Sequence, residues 1–316
     1  MLSVALCTYN GERYIREQIE SILNQTMQVD EIVVCDDGST DNTLQIIEGY
    51  KGTTATDIQI HRNEKNIGVC ANFQKAINLC RGDVIFLSDQ DDVWHSDKAE
   101  TIVNYFNENR DIQVVFTNGI LIDNDGVIIK NKTLWECVGM TERAQSYILS
   151  GLGIELFASA NRATGATMAI KASFSFVHSF QNYCNKSILH DYALSLLALG
   201  NEQMGFVPQS LIDYRIHSEQ QVGVGEYLKN PMSDSVYITN YDTVILERLL
   251  YPEPVSSRLL FAIYRDKNRH KVLGCFRIIG SMGRYHRMYG SNSGKIFIND
   301  IRLWTQKLWR RIFNSM

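Results

Sequence analysis

Over its first hundred residues the chain alternates short β-rich apolar runs with amphipathic helical stretches, and this constrains its fold more than any other feature. Leu2–Cys7, Glu31–Cys35, Ile58–Ile60 and Val84–Ser88 are the strand candidates. Between them Ile15, Ile19, Ile22 and Leu23 share one helical face, as do Val69, Phe73, Ala76, Ile77 and Cys80. Strands joined through helices pair in parallel, so this region reads as an α/β nucleotide-binding half.

Later strand candidates turn the sheet into a mixed one. Gln113–Thr117 leads into Ile120–Ile129, whose apolar arms flank Asp123-Asn124-Asp125-Gly126 and predict a hairpin. Thr167–Lys171, Met204–Val207 and Leu211–Ile216 follow. Residues 131–161 show no clear period. Pro252 and Pro254 break the helical pattern and mark a boundary. The expected organisation is a catalytic domain over 1–225, with a nucleotide half of about 1–118 and an acceptor half of about 119–225, then a helical C-terminal region over 226–316.

Charge separates these regions more sharply than hydropathy does. Residues 257–316 hold thirteen Lys/Arg against two Asp/Glu, while 1–256 hold eighteen against thirty-three, which the net charge of −4 conceals. Within 296–316, Ile301, Trp304, Leu308 and Ile312 form one helical stripe beside Arg302, Lys307, Arg310 and Arg311. That stripe fits a helix lying on an anionic membrane surface, and equally one packed on the acidic catalytic body. No recognised nucleic-acid module accompanies it, so nucleic acid is not an expected partner. Seven cysteines without a C-x-x-C pair, the lack of a basic leader and the lack of a long apolar run together predict a cytoplasmic protein. Any membrane contact is then peripheral, at the inner face of the cell membrane. Oligomeric state is not legible.

Ser88-Asp89-Gln90-Asp91-Asp92-Val93-Trp94 carries the strongest chemical signal, three carboxylates within four positions at the end of a strand. Crowded carboxylates repel unless a cation or hydrogen bonds compensate. Mg²⁺ or Mn²⁺ with a substrate diphosphate would do so, and an acidic solvated turn would carry the same residues. Asp36-Asp37 follows the second strand, where an open α/β sheet lines its ligand crevice, and a carboxylate there can accept from a base N–H or a ribose hydroxyl. Thr8-Tyr9-Asn10-Gly11 sits similarly after the first strand, with a ring able to pack on a base.

Six pieces in order resemble the family-2 glycosyltransferases: CTYNG at 7–11, CDDGSTDNT at 35–43, NIG at 66–68, RGDVIFLSDQDDVW at 81–94, HD at 190–191 and YRIH at 214–217. With the GATM piece at 165–168, the DQDDVW form looks most like bacterial rhamnosyltransferase-like members that build surface polysaccharides. The resemblance implies a GT-A fold, a Rossmann-like mixed sheet flanked by helices, and places Thr8, Tyr9, Asn10, Asp37, Asn66, Gly68 and Arg81 around the nucleotide. It implies that Asp91 binds Mn²⁺ or Mg²⁺, with Asp89 nearer the ribose and diphosphate. His217 corresponds to a distal histidine that meets the metal or the diphosphate, and Gln220 stands where asparagine is common. Asp191 corresponds to the catalytic base of an inverting transfer, although a carboxylate at a helix start is also an ordinary cap. His190, Thr164, Gly165 and Ala166 are expected by analogy to meet the acceptor.

The function so implied is transfer of a hexose, or a deoxyhexose such as rhamnose, from a UDP- or dTDP-linked donor to a hydroxyl of a surface polysaccharide or lipid-linked glycan. An inactive nucleotide-sugar-binding scaffold is the alternative. A sugar-nucleotide pyrophosphorylase would need a Gly-rich, Arg-containing opening loop, and a processive synthase would need spanning helices and a Q-x-x-R-W motif; the sequence has neither.

Overall fold

The computed structural model describes residues 1–218 apart from 152 and 187, together with 220, 223, 224, 228, 231 and 232. The basic stripe at 296–316 lies outside the described residues. Two compact units separate, and the first contains Met1–Thr141, Asn161–Ala198 and Gln203–Ser233.

The first unit is built on a nine-stranded sheet. Its strands are β1 (Leu2–Thr8), β2 (Glu31–Asp36), β3 (Asp57–Arg62), β4 (Val84–Ser88), β5 (Val93–Trp94), β6 (Val114–Ile122), β7 (Ile128–Thr133), β8 (Met168–Lys171) and β9 (Met204–Arg215). They run in the order 3-2-1-4-8-6-9-5, with β7 paired to β6. β3, β2, β1 and β4 are mutually parallel. β8 runs antiparallel to both β4 and β6, β9 parallel to β6, and β5 antiparallel to β9. The result is the expected mixed sheet.

Apolar periodicity decides what covers the sheet. Helix α1 (Ile15–Leu23) buries Ile15, Ile19 and Ile22, and α3 (Val69–Leu79), which follows the short α2 (Thr43–Glu48), buries Phe73, Ala76 and Ile77. Helix α4 (Lys98–Glu108) buries Ala99, Ile102 and Phe106, and with them a lysine, Lys98. The central strands read as continuous apolar runs because both faces are covered; every residue of β2 and β4 is buried.

Three elements depart from the sequence reading. Gln113–Thr117 and the first arm of the hairpin form one strand, β6, and the hairpin's second arm is β7. Met204–Val207 and Leu211–Ile216 likewise join in β9, whose register against β6 shifts around Thr117 and Asn118, opposite the polar Pro208-Gln209-Ser210 interruption. A proline cannot donate to a ladder, and the irregularity lets the strand continue past it. Within 131–161 the chain forms α5 (Leu134–Cys137), α6 (Glu142–Leu149) and α7 (Gly153–Ser159). Helix α5 opens on a capping box in which Thr133 and Glu136 bond each other's backbone N–H. Helices α6 and α7 belong to the second unit, whose described parts fall within Glu142–Ala160 and Leu199–Glu202; there Gly153 leaves room for the side chain of Leu199.

Candidate active site

Loops at the carboxyl ends of β1 and β2 are locked together by side chains. Asp36 is fully buried; it accepts from Gly38 N (3.1 Å), Ser39 N (2.9 Å), Thr8 Oγ1 (2.9 Å) and the Ser39 hydroxyl. Asn10, at φ +50°, donates from its backbone to Ser39 Oγ (2.8 Å) and accepts from Thr40 N (2.8 Å). Gly11 N donates to Thr43 Oγ1 (2.7 Å).

Asp37 does different work from its neighbour. Its carboxylate accepts from Asn63 Nδ2 (2.9 Å), Ile67 N (2.8 Å) and Gly68 N (2.9 Å), which fixes the loop from β3 to α3. Gly68, at φ +85°, turns that loop into the helix, and Asn66 Oδ1 accepts from its N–H (3.1 Å). A cleft of about 600 Å³ opens here, lined by Tyr9, Asp37, Gly38, Arg62, Asn63, Glu64, Lys65 and Asn66. Three carboxylate bonds leave one lone-pair position on Asp37, enough to accept from a base or ribose.

The acidic turn after β4 is held from beneath. In the amide orientation that satisfies both of its atoms, Gln18 donates to Asp92 O and accepts from Ser88 Oγ (2.6 Å) and Trp94 Nε1 (3.1 Å). Arg215, 2% exposed, donates Nε to Asp91 O (2.8 Å), and its backbone N–H donates to Asp92 Oδ1 (3.0 Å). Its other guanidinium nitrogens reach the carbonyls of Asp123 (3.3 Å) and Asn124 (3.4 Å) and the carboxylate of Glu17, while the group stacks 4.7 Å from the Tyr14 ring centre. His217 Nε2 meets Asp91 Oδ2 at 2.8 Å.

These carboxylates are under electrostatic load. Burial, with Asp91 and Asp191 adding repulsion, pushes Asp89 up to about 7. Burial also drives Asp92 well above the carboxylate range, with Asp91 and Asp89 reinforcing it, and Asp92 Oδ2 has no hydrogen-bond partner among the described residues. Lys98 is the buried counter-charge: burial pulls it down to about 7 against the attraction of Asp92 and Asp89. Its ammonium donates to Ala166 O (2.7 Å) and lies 4.0 Å from the Trp94 ring centre. Among the described residues no three His, Cys, Asp or Glu form a ready-made metal cage. The oxygen of Asp91 and the nitrogen of His217 are nevertheless a donor pair that suits Mn²⁺ or Mg²⁺ when phosphate oxygens complete the shell.

Asp191 lies in the first turn of α8 (His190–Gly200), half-buried, with Oδ1 accepting from Tyr192 N (2.7 Å). Its charge acts on Asp89 and helps to raise it. The preceding His190 is 5% exposed; its ring stacks on Phe73 at 4.0 Å and covers Gly165. Burial keeps the imidazole lowered towards its neutral form, and neither ring nitrogen has a partner among the described residues.

The structure brings Tyr9, Asp37 and Asn66 to the cleft, and pairs Asp91 with His217 in the turn that holds Asp89, on which the charge of Asp191 acts. Three expectations are corrected. Arg81 precedes β4, and its side chain bonds Glu31 Oε2 (2.8 Å) and Asp57 Oδ2 (2.6 Å), where β2 and β3 begin. That is the opposite edge of the sheet, about 15 Å away along five strand residues. Thr8, 2% exposed, supports the cleft through Asp36 and offers no surface to a nucleotide. Gly165, Ala166 and His190 are all buried, His190 over Gly165, so of the four expected acceptor residues Thr164 alone retains partial exposure. Sequence reasoning gave no role to Arg215, although it sits in the YRIH piece, or to Gln90 between the two outer acids. An arginine at the end of an apolar strand, inside the YRIH piece, was the available signal.

Comparison with known proteins agrees with this architecture. The family model described as glycosyl transferase family 2 matches residues 3–162. Three curated relatives are 35–37% identical over 126–135 residues, and the chain spans only 19–45% of their lengths. The UDP-Glc:α-D-GlcNAc-diphosphoundecaprenol β-1,3-glucosyltransferase WfgD of Escherichia coli is 26% identical over 253 residues, 78% of this chain and 94% of that protein. The dTDP-rhamnosyl transferase RfbG of Shigella flexneri is 28% identical over 228 residues, 69% of this chain and 73% of that one. Among solved structures, S. aureus TarS 1-349 in complex with UDP-GlcNAc superposes with a TM-score of 0.56 at 17% identity, covering 91% of this chain and 81% of that 1-349 chain, which speaks to the fold alone. With the matched segment running from β1 through the interlocked loops and the acidic turn, the chain belongs to glycosyl transferase family 2.

Proposed function

We propose that the protein is an inverting, metal-dependent glycosyltransferase that moves a hexosyl or deoxyhexosyl unit from a UDP- or dTDP-sugar to a hydroxyl of a surface-polysaccharide or lipid-linked glycan. The observation that carries this reading is the crowding of Asp89, Asp91 and Asp191 beside the Asp37 cleft, where the buried cations nearby are Lys98 and an Arg215 whose guanidinium is taken up by backbone carbonyls and Glu17. Such a site favours a ligand that brings a cation with it.

In this reading the base packs beside Tyr9 and bonds Asp37, and the diphosphate lies towards Asp89. Asp91 and His217 would hold Mn²⁺ or Mg²⁺, which when bound supplies positive charge to the departing diphosphate. Asp191 accepts the proton of the attacking hydroxyl, and Thr164 is the acceptor contact. WfgD and RfbG support a UDP- or dTDP-linked donor, and WfgD a lipid-linked acceptor. The catalytic machinery belongs to 1–225. The 296–316 stripe serves location on an anionic membrane, so its deletion reduces sedimentation with anionic liposomes and leaves nucleotide binding intact. No helix among the described residues is long and apolar enough to cross a membrane.

The deciding experiment is donor turnover with UDP- and dTDP-sugars, with Mn²⁺ and in excess chelator, reading the anomeric configuration of the product. Turnover in chelator removes the metal from the reading, and a retained anomer removes the mechanism. A protein that binds these nucleotides and never turns them over is the inactive scaffold.

A further inference from the structure

Gln90 lies between the two outer acids of the Asp89–Asp91 turn, and its side chain points away from them to the loop after β1. Its Oε1 accepts from Tyr9 N (2.8 Å), and its Nε2 donates to Tyr9 O (3.0 Å). A carboxamide has one acceptor and two donor hydrogens, so it can pair with both backbone groups of one residue as a neighbouring strand would. The approach depends on Gly11: a Cβ there would collide with the Gln90 side-chain oxygen and carboxamide carbon. Tyr9 is 41% exposed and forms one wall of the cleft, and on its other side Asn10 is anchored to Ser39 and Thr40.

We propose that Gln90 is a positioning residue whose amide clip joins the nucleoside wall at Tyr9 to the diphosphate-binding turn at Asp89–Asp91, with Gly11 as the vacancy that admits it. This rests on the functional reading above and deepens it, because it states why base and diphosphate bind as one unit. A loop held in its binding conformation binds with its intrinsic affinity, and one competent for a fraction of the time binds more weakly by that fraction. Releasing the clip therefore weakens ligands that span both halves and spares those that touch the turn alone.

Calorimetry in Mn²⁺ with UDP and with inorganic pyrophosphate tests this on the native protein, Gln90→Met, Gly11→Ala and the double variant. Both single variants are expected to lose roughly tenfold in UDP affinity, the loss when about a tenth of the population stays competent, while pyrophosphate affinity changes less than twofold. The double variant is expected to bind UDP no worse than either single one, because both substitutions remove the same clip. Unchanged UDP affinity in Gln90→Met, a parallel loss of pyrophosphate, or losses that multiply in the double variant would each overturn the inference. If Gly11→Ala does not fold, the ratio of UDP to pyrophosphate affinity in Gln90→Met decides alone. Native protein that binds no UDP overturns the functional reading, whereas native binding with an unaltered Gln90→Met overturns only the clip.

Discussion

Glu31 at the amino edge and the acidic turn after β4 at the carboxyl edge of the same sheet handle carboxylates in opposite ways. At the amino edge, Glu31 is fully buried, and each of its oxygens is answered: Ser3 Oγ (2.6 Å), Arg81 N (2.6 Å), Arg81 Nε (2.8 Å) and Gln59 Nε2 (3.2 Å) all donate to it. In the acidic turn, Asp89 is lifted by burial and by the charges of Asp91 and Asp191, Asp92 by burial and by those of Asp91 and Asp89, and Asp92 keeps an unpartnered oxygen among the described residues. A carboxylate compensated inside the fold serves stability. One left uncompensated is a place for a ligand, since folding has already borne the cost of bringing the charges together.

The sharpest break of this comparison is Asp191→Asn. Asparagine keeps the size and the bond to Tyr192 N, so folding and donor affinity persist, while loss of the basic lone pair cuts transfer by about a hundred- to ten-thousand-fold. Donor affinity must be read beside turnover, because a fall in both reports misfolding. Next in size is Asp91→Ala, expected to reduce Mn²⁺-dependent UDP affinity by about tenfold or more, and to make binding insensitive to chelator. Equal UDP affinity with and without chelator in the native protein would take Asp91 out of metal binding.

At the other edge, Glu31→Gln is expected to lower stability by about 1–3 kcal/mol in urea unfolding and to leave UDP affinity alone. Arg81→Ala likewise leaves UDP affinity unchanged, and any marked loss would return that residue to the nucleotide site. The smallest effect concerns His95, whose Nε2 meets Asp213 Oδ1 at 2.8 Å across the β5–β9 pair. The hydrogen bond to Asp213 raises the imidazole above its ordinary value, with burial opposing. A raised folded-state value adds stability that is fully present below about pH 6.5 and lost as pH rises through the folded value. Asp213→Asn should therefore cost up to about 1 kcal/mol at pH 5.5 and nearly nothing at pH 8.5 in paired melting curves.

Much of the fold was legible because burial imposes a period on the chain. β1, β2 and β4 came through almost to the residue, and Ile15, Ile19, Ile22, Phe73 and Ile77 marked the covering faces of α1 and α3. Continuity was harder to see. The polar break at 208–210 looks like a turn locally, yet β9 passes through it because β6 lies alongside and accepts a shifted register. Strand β5 has two residues, too short to show any period, and exists by pairing with β9. The capping box of α5 was readable at Thr133 and Glu136, but the helix spans under two turns and carries no stripe.

By itself the sequence determined the residue types of the candidate site and their order: the acids at 89, 91 and 92, Asp37, Asp191 and His217. It could not assign partners, because a hydrogen bond between Arg215 and Asp91 joins positions 124 apart and leaves no local trace. Tertiary structure alone divided the adjacent Asp36 and Asp37 into a buried loop anchor and a cleft-lining carboxylate. It also sent Arg81 to the edge away from the Asp37 cleft and buried His190 between Phe73 and Gly165. The physical reason is the same in each case. Periodicity records whether a position faces the core, whereas the balance of charge and hydrogen bonding at that position depends on which distant strand ends the sheet brings alongside it.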